Sequence, residues 1–155
     1  MVAPHLGCQV AGDISYAPID LYYPDAHSAS FERRFLTDLY LLGSLVFFYF
    51  SNVSANHALS AKLQGQQLTK SSFVQDLPYI QYAFEESLKE LHGDLKKVTG
   101  VCADELVEIA RQLCEPDPSK RGDPMWRKSH VPNFDVQRYI SKFDRLSKLA
   151  RIEFQ

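Results

Sequence analysis

The chain has 155 residues, 45% hydrophobic and 23% charged, with a formal net charge of −2. That composition excludes a mainly disordered chain, and the charge gives no pull toward nucleic acid or an anionic membrane. The length suits one domain with a real core.

Three cysteines, Cys8, Cys102 and Cys114, cannot all pair within one chain and lack CxxC spacing. They read as free thiols of a reducing cytoplasm, buried more often than reactive. His5 and Cys8 are spaced like two metal ligands, but no second pair completes a zinc site. The N-terminus has no basic stretch followed by a long apolar run, so it is not a secretory signal. No internal repeat or low-complexity tract is present.

Up to about Tyr23 the chain reads as loop or extended structure, with a short helical turn able to follow Pro18. Thr37 to Phe50 is apolar at nearly every position after Asp38, broken only by Gly43 and Ser44. A helix apolar all round is buried on all sides, and this run is shorter than the about 20 residues a bilayer span needs. Thr37 or Asp38 would cap its start, and Ser51-Asn52-Val53-Ser54 would end it. It is expected to be the central helix.

Ala58 to Leu63 extends helically, with a break at Gly65. From Pro78 to Val98, Ile80, Phe84, Leu88, Leu91 and Leu95 recur at helical spacing, with Glu85 facing Lys89 and Gly93 weakening the later turns. A further amphipathic helix spans Ala103 to Cys114, with Asp104 and Glu105 in its first turn, and Pro116 and Pro118 end it.

The last helix runs from Phe134 to Arg151, capped by Asn133. Its buried stripe is Val136, Tyr139 or Ile140, Phe143, Leu146 and Leu149. Arg138, Lys142, Arg145 and Lys148 form either a phosphate-binding stripe or, as the mildly acidic chain favours, a solvated face. No strand pair is predicted, so the class is mainly α.

Three motifs stand in order: Tyr16-Ala17-Pro18-Ile19-Asp20, then Asp38-Leu39-Tyr40-Leu41-Leu42-Gly43, then Leu113-Cys114-Glu115-Pro116-Asp117-Pro118-Ser119-Lys120-Arg121. Together they resemble the helical C-terminal lobe of eukaryotic-type serine/threonine protein kinases. The first is similar to the Ala-Pro-Glu motif that closes the activation segment. The second is similar to the start of the kinase F helix, with Tyr40 in place of Trp. The third is similar to the turn before the last helix. The resemblance covers roughly Gly12 to Arg151, although nothing between Asn52 and Asp76 matches closely.

The resemblance implies structural roles. Arg121 would pair with the carboxylate of the first motif, here Asp20, one position late and one methylene shorter than Glu. Asp38 would hold the catalytic loop, Gly43 belongs to the helix motif, and Leu45 and Tyr49 would support internal apolar columns.

Phosphoryl transfer also needs a glycine-rich loop, a lysine and its glutamate, a catalytic Asp, an Asn and a magnesium-binding Asp. No such motif occurs in this sequence. The expectation is therefore a partial, pseudokinase-like domain over residues 1–155, from a truncated or mis-started gene or a minimal relative, and inactive alone. No catalytic, cofactor or metal residue is assigned; ATP and magnesium belong to the complete family domain. The implied partner is a protein or peptide, a missing N-lobe, or a second copy meeting an exposed apolar face, with neither nucleic acid nor membrane. The alternatives are a catalytically dead binding module and an unrelated helical adaptor.

Overall fold

The computed structural model describes residues 14–24, 31–66, 68–125 and 136–153. Among them the protein is helical with no strand, a mainly α architecture. Among the described residues the α-helices are α1 (Phe31–Ser51), α2 (Ala55–Leu63), α3 (Phe73–Thr99), α4 (Ala103–Cys114) and α5 (Gln137–Glu153). Short 3-10 turns at Ile14–Tyr16 and Ile19–Tyr22 precede α1, and another at Gly100–Cys102 leads into α4. The His5 and Cys8 pair, and the last helix's expected cap Asn133 and start Phe134, lie outside the described residues.

The centre is shared by α1 and α3, not held by α1 alone. α3 packs on α1, α2 and α4, and its apolar stripe Ile80, Phe84, Leu88, Leu91 and Leu95 is buried throughout. It begins at Phe73, before the expected Pro78, so Pro78 lies inside the helix. The earlier start is set by Asp76, whose carboxylate accepts the N–H groups of Thr69 and Lys70 at 3.0 and 2.9 Å and folds the preceding loop over the first turn. Glu85 pairs with Arg111 of α4, and Lys89 pairs with Glu86 at 2.6 Å instead.

The crossing of α1 and α4 depends on Gly43. A Cβ there would lie 2.5 Å from Cys114 Sγ and 2.6 Å from Leu113 Cβ, so only glycine permits this approach. The Cys114 thiol donates to the Tyr40 carbonyl, 3.5 Å away.

α1 starts well before the expected Thr37. Thr37 is inside the helix with its hydroxyl donating to Arg33 O at 3.0 Å, and Asp38 is an exposed mid-helix residue. Neither is a cap. Nor is the helix buried all round: Leu45, Phe48 and Tyr49 are 48%, 52% and 73% exposed. At its end Asn52 adopts a left-handed φ of 58°, and Ser54 caps α2 by accepting the His57 N–H at 3.1 Å.

α5 seats Tyr139 and Leu146 in the core, with Val136 and Phe143 half-buried against it. Ile140 and Leu149 face outward, which settles the Tyr139 alternative and removes Leu149 from the stripe. Among the described residues no single helix is long and apolar enough to cross a membrane.

Candidate functional site

The first and third motifs converge on one buried ionic node. The rigid φ of Pro18 and the 3-10 turn after it aim Asp20 inward, where it is 1% exposed. Arg121 arrives from the turn after α4, also 1% exposed, and places Nη2 2.8 Å from Asp20 Oδ1. Arg33 of α1 reaches the other carboxylate oxygen at 2.7 Å. One buried carboxylate thus bridges two guanidinium groups.

Arg121 is held on every side. Its Nε donates to Glu115 O at 2.8 Å, Nη1 to Leu36 O at 3.3 Å and Nη2 also to Pro116 O at 3.2 Å. The guanidinium lies 5.2 Å from the Tyr40 ring centroid, close enough for cation–π attraction. Arg121 therefore ties three segments together: the turn carrying Asp20, the first half of α1, and the Glu115–Pro116 turn. Such a node orients the chain; its partners leave no free base or nucleophile.

The other two positions of the F-helix-like motif behave differently. Gly43 lies at the α1–α4 crossing. The Asp38 side chain is exposed and makes no hydrogen bond or ion pair to any described residue. Leu45 and Tyr49, expected in the core, are on the open face of α1.

Two further nodes had no sequence signal. Asp76 accepts from the Tyr23 hydroxyl at 2.9 Å as well as from the two loop N–H groups. Burial opposes ionisation of its carboxyl, but the Thr69 and Lys70 N–H groups and the Tyr23 hydroxyl outweigh burial and hold its pKa below the ordinary carboxylate value. Asn56 of α2 donates through Nδ2 to Ser15 O and to the Tyr22 hydroxyl oxygen, both at 3.1 Å. These contacts fasten the 3-10 turns to α2 and α3. Arg33 was findable once α1 is extended, because it precedes Leu36 and Tyr40 by three and seven positions on one helical face. Asp76 and Asn56 act on loop backbone and hydroxyl groups, which no spacing rule encodes.

The basic residues of α5 face protein groups. Arg138 pairs with Asp123 at 3.0 Å, Arg145 with Glu105, and Lys148 with Asp144 at 2.6 Å. Lys142 donates to Gln112 Oε1 at 3.4 Å. That arrangement matches the solvated-face alternative and leaves little unpaired positive charge for phosphate.

Burial raises the pKa of the Cys114 thiol, Arg121 offsetting it only in part, and burial also raises that of Cys102. Both are poor nucleophiles at neutral pH. Among the described residues no cluster of His, Cys, Asp and Glu could hold a metal ion. A nearly all-apolar concavity of about 420 Å³ lies between α1, α4 and α5, with Leu45, Tyr49, Phe143 and Leu146 in its walls.

Searches for similarity to protein-family models, to curated proteins and to solved structures found no match.

Proposed function

We propose that the chain is a serine/threonine-kinase-like C-lobe that carries the helical scaffold without the chemistry of phosphoryl transfer. One observation carries this reading: the buried Asp20–Arg121 pair, which joins the two motifs that resemble the end of the activation segment and the turn before the last helix. The contact of Arg121 with Tyr40, in the place of the family's Trp, supports the same reading. So does Asp38, exposed and unbonded among the described residues, since the catalytic loop it would anchor has no counterpart in the sequence.

On this reading the four residues Asp20, Asp38, Gly43 and Arg121 are architectural, and ATP and magnesium have no ligands here. The chain is inactive alone and acts by presenting helical surface to a protein or peptide. Two measurements test it. Incubation with Mg-ATP and a generic protein substrate should give no phosphate transfer, and robust turnover would overturn the inactivity. Reading the DNA upstream of Met1 should reveal an in-frame glycine-rich loop and lysine if the lobe is a fragment of an enzyme.

A second reading, a binding module in its own right, is favoured by the open face of α1. A stop codon just upstream, with a folded purified chain, would select it.

A further inference from the structure

α5 is lightly anchored. Of its 17 residues Tyr139 and Leu146 are buried, with Phe143 half-buried beside them, while Ile140, Leu149 and Ile152 face solvent. It pairs with neighbouring segments through Arg145 to Glu105 and Arg138 to Asp123. Both arginines are more than half exposed, and ion pairs of that kind add little to stability. The hydrogen bonds from Tyr139 and Lys142 to Gln112 are both long, at 3.4 Å. α5 also stands off α1. The apolar hollow lies between Phe143, Leu146 and Ala150 on one side and Leu42, Leu45 and Tyr49 on the other.

The contacts that lock the remaining helices do not involve α5. The Gly43 crossing joins α1 to α4, and Arg121 bonds to Asp20, Leu36, Glu115 and Pro116. Asp76 fixes the start of α3 through Thr69, Lys70 and Tyr23. All of these survive if α5 moves away. What α5 covers is Cys102, a wall residue of the hollow that is 2% exposed. Its thiol donates to the Leu146 carbonyl of α5 at 3.9 Å, whereas Cys114 sits inside the α1–α4 crossing.

We infer that α5 is a strap that opens as a unit, separately from the α1–α4 bundle, and that its release uncovers Cys102 and the bundle's wall of the hollow. An element held by few buried apolar contacts and by exposed polar bonds opens at a lower free energy than the whole fold. Burial, which holds the Cys102 thiol protonated, is lost in the open form, so the thiol becomes reactive there. Access to this cysteine and to the apolar surface around it is therefore set by one helix. The inference uses nothing of the kinase resemblance, and the phosphotransfer and upstream-sequence tests do not bear on it.

The two thiols report the two openings. In the full chain with Cys8→Ser, an aromatic disulfide reagent without denaturant, followed by peptide mass spectrometry, should label Cys102 at least about tenfold faster than Cys114. Asp76→Asn weakens the bundle through contacts that include neither thiol and no part of α5. It should speed Cys114 several-fold and leave Cys102 unchanged, because only opening of the whole fold breaks those contacts. Equal rates for the two thiols, or a parallel acceleration of both, would show one cooperative unit and overturn the inference.

If Asp76→Asn fails to fold, low urea decides with the Cys8→Ser chain alone. The rate at Cys102 should climb less steeply with urea than the rate at Cys114, because the slope follows the surface exposed on opening. Equal slopes would overturn the strap.

Discussion

Arg121 Nη2 and Asp20 Oδ1 lie 2.8 Å apart between side chains that are each 1% exposed, although 101 positions separate them in the chain. The pair contributes to stability chiefly through what its loss would strand. Asp20→Ala would leave two arginines facing a carboxylate-sized gap, one of them fully enclosed. Removing one partner of a buried pair costs about 3–5 kcal/mol. Arg33 is partly solvated, with 18% of its side chain exposed, and Arg33→Ala should cost about 1 kcal/mol or less. Urea unfolding at neutral pH should rank Asp20→Ala and Arg121→Ala far below Arg33→Ala. Equal midpoints would mean that the node is not formed.

Two glycines in long helices should respond in opposite directions to alanine. Gly43→Ala drives a methyl into Leu113 Cβ and Cys114 Sγ, an overpacking cost of about 1–3 kcal/mol or more. Gly93 has no atom within 4 Å of the position a Cβ would take, so Gly93→Ala should stabilise by roughly 0.5–1 kcal/mol. Thermal or denaturant midpoints of the two variants should move apart.

Asp76 should make the fold acid-sensitive. Its folded pKa is lowered, so the unfolded chain binds the proton more readily and stability rises with pH in that range. The contribution is fully present above the ordinary carboxylate pKa of about 3.9 and is lost as pH falls through the lower folded value. Asp76→Asn should be less stable at pH 7, because the three donors are shared between two carboxylate oxygens and an amide offers only one acceptor oxygen. Its unfolding midpoint should also fall less steeply below pH 4. An unchanged acid profile would show that other carboxylates set it.

The buried thiols give a probe of global opening. Cys102 is 2% exposed and Cys114 is fully buried, and burial raises both pKa values. In a Cys8→Ser background, labelling by an aromatic disulfide reagent should be slow at pH 8 and rapid in denaturant, with Cys114 the slower of the two. Rapid native-state labelling of Cys114 would place it outside the α1–α4 crossing.

Periodicity carried much of the helical order. α4 runs from Ala103 to Cys114 as its pattern predicts, because acidic residues at its start and two prolines after its end bound a clear apolar face. The α3 stripe is buried as expected, yet the helix starts five residues earlier, since Asp76 and the loop N–H groups extend it past where Pro78 suggested a first turn. For α1, hydropathy was a poor guide to both start and exposure. The helix begins at Phe31 rather than Thr37, and Leu45 and Tyr49, which looked like core, are exposed.

By itself the sequence determined the helical class, the buried stripe of α3 and the bounds of α4, because these follow from local spacing, first-turn charge and proline. It also showed that the glycine-rich loop and magnesium-binding motifs of phosphoryl transfer do not occur in these 155 residues. Only the tertiary structure decided that Asp20 serves Arg33 as well as Arg121, that Gly43 lies at the α1–α4 crossing, and that the Asp38 carboxylate has no hydrogen bond or ion pair to any described residue. It alone decided that the most apolar helix keeps one side open. Burial is a property of what surrounds a residue, and apolar composition states only the preference to be covered, not whether a partner segment is in place to cover it.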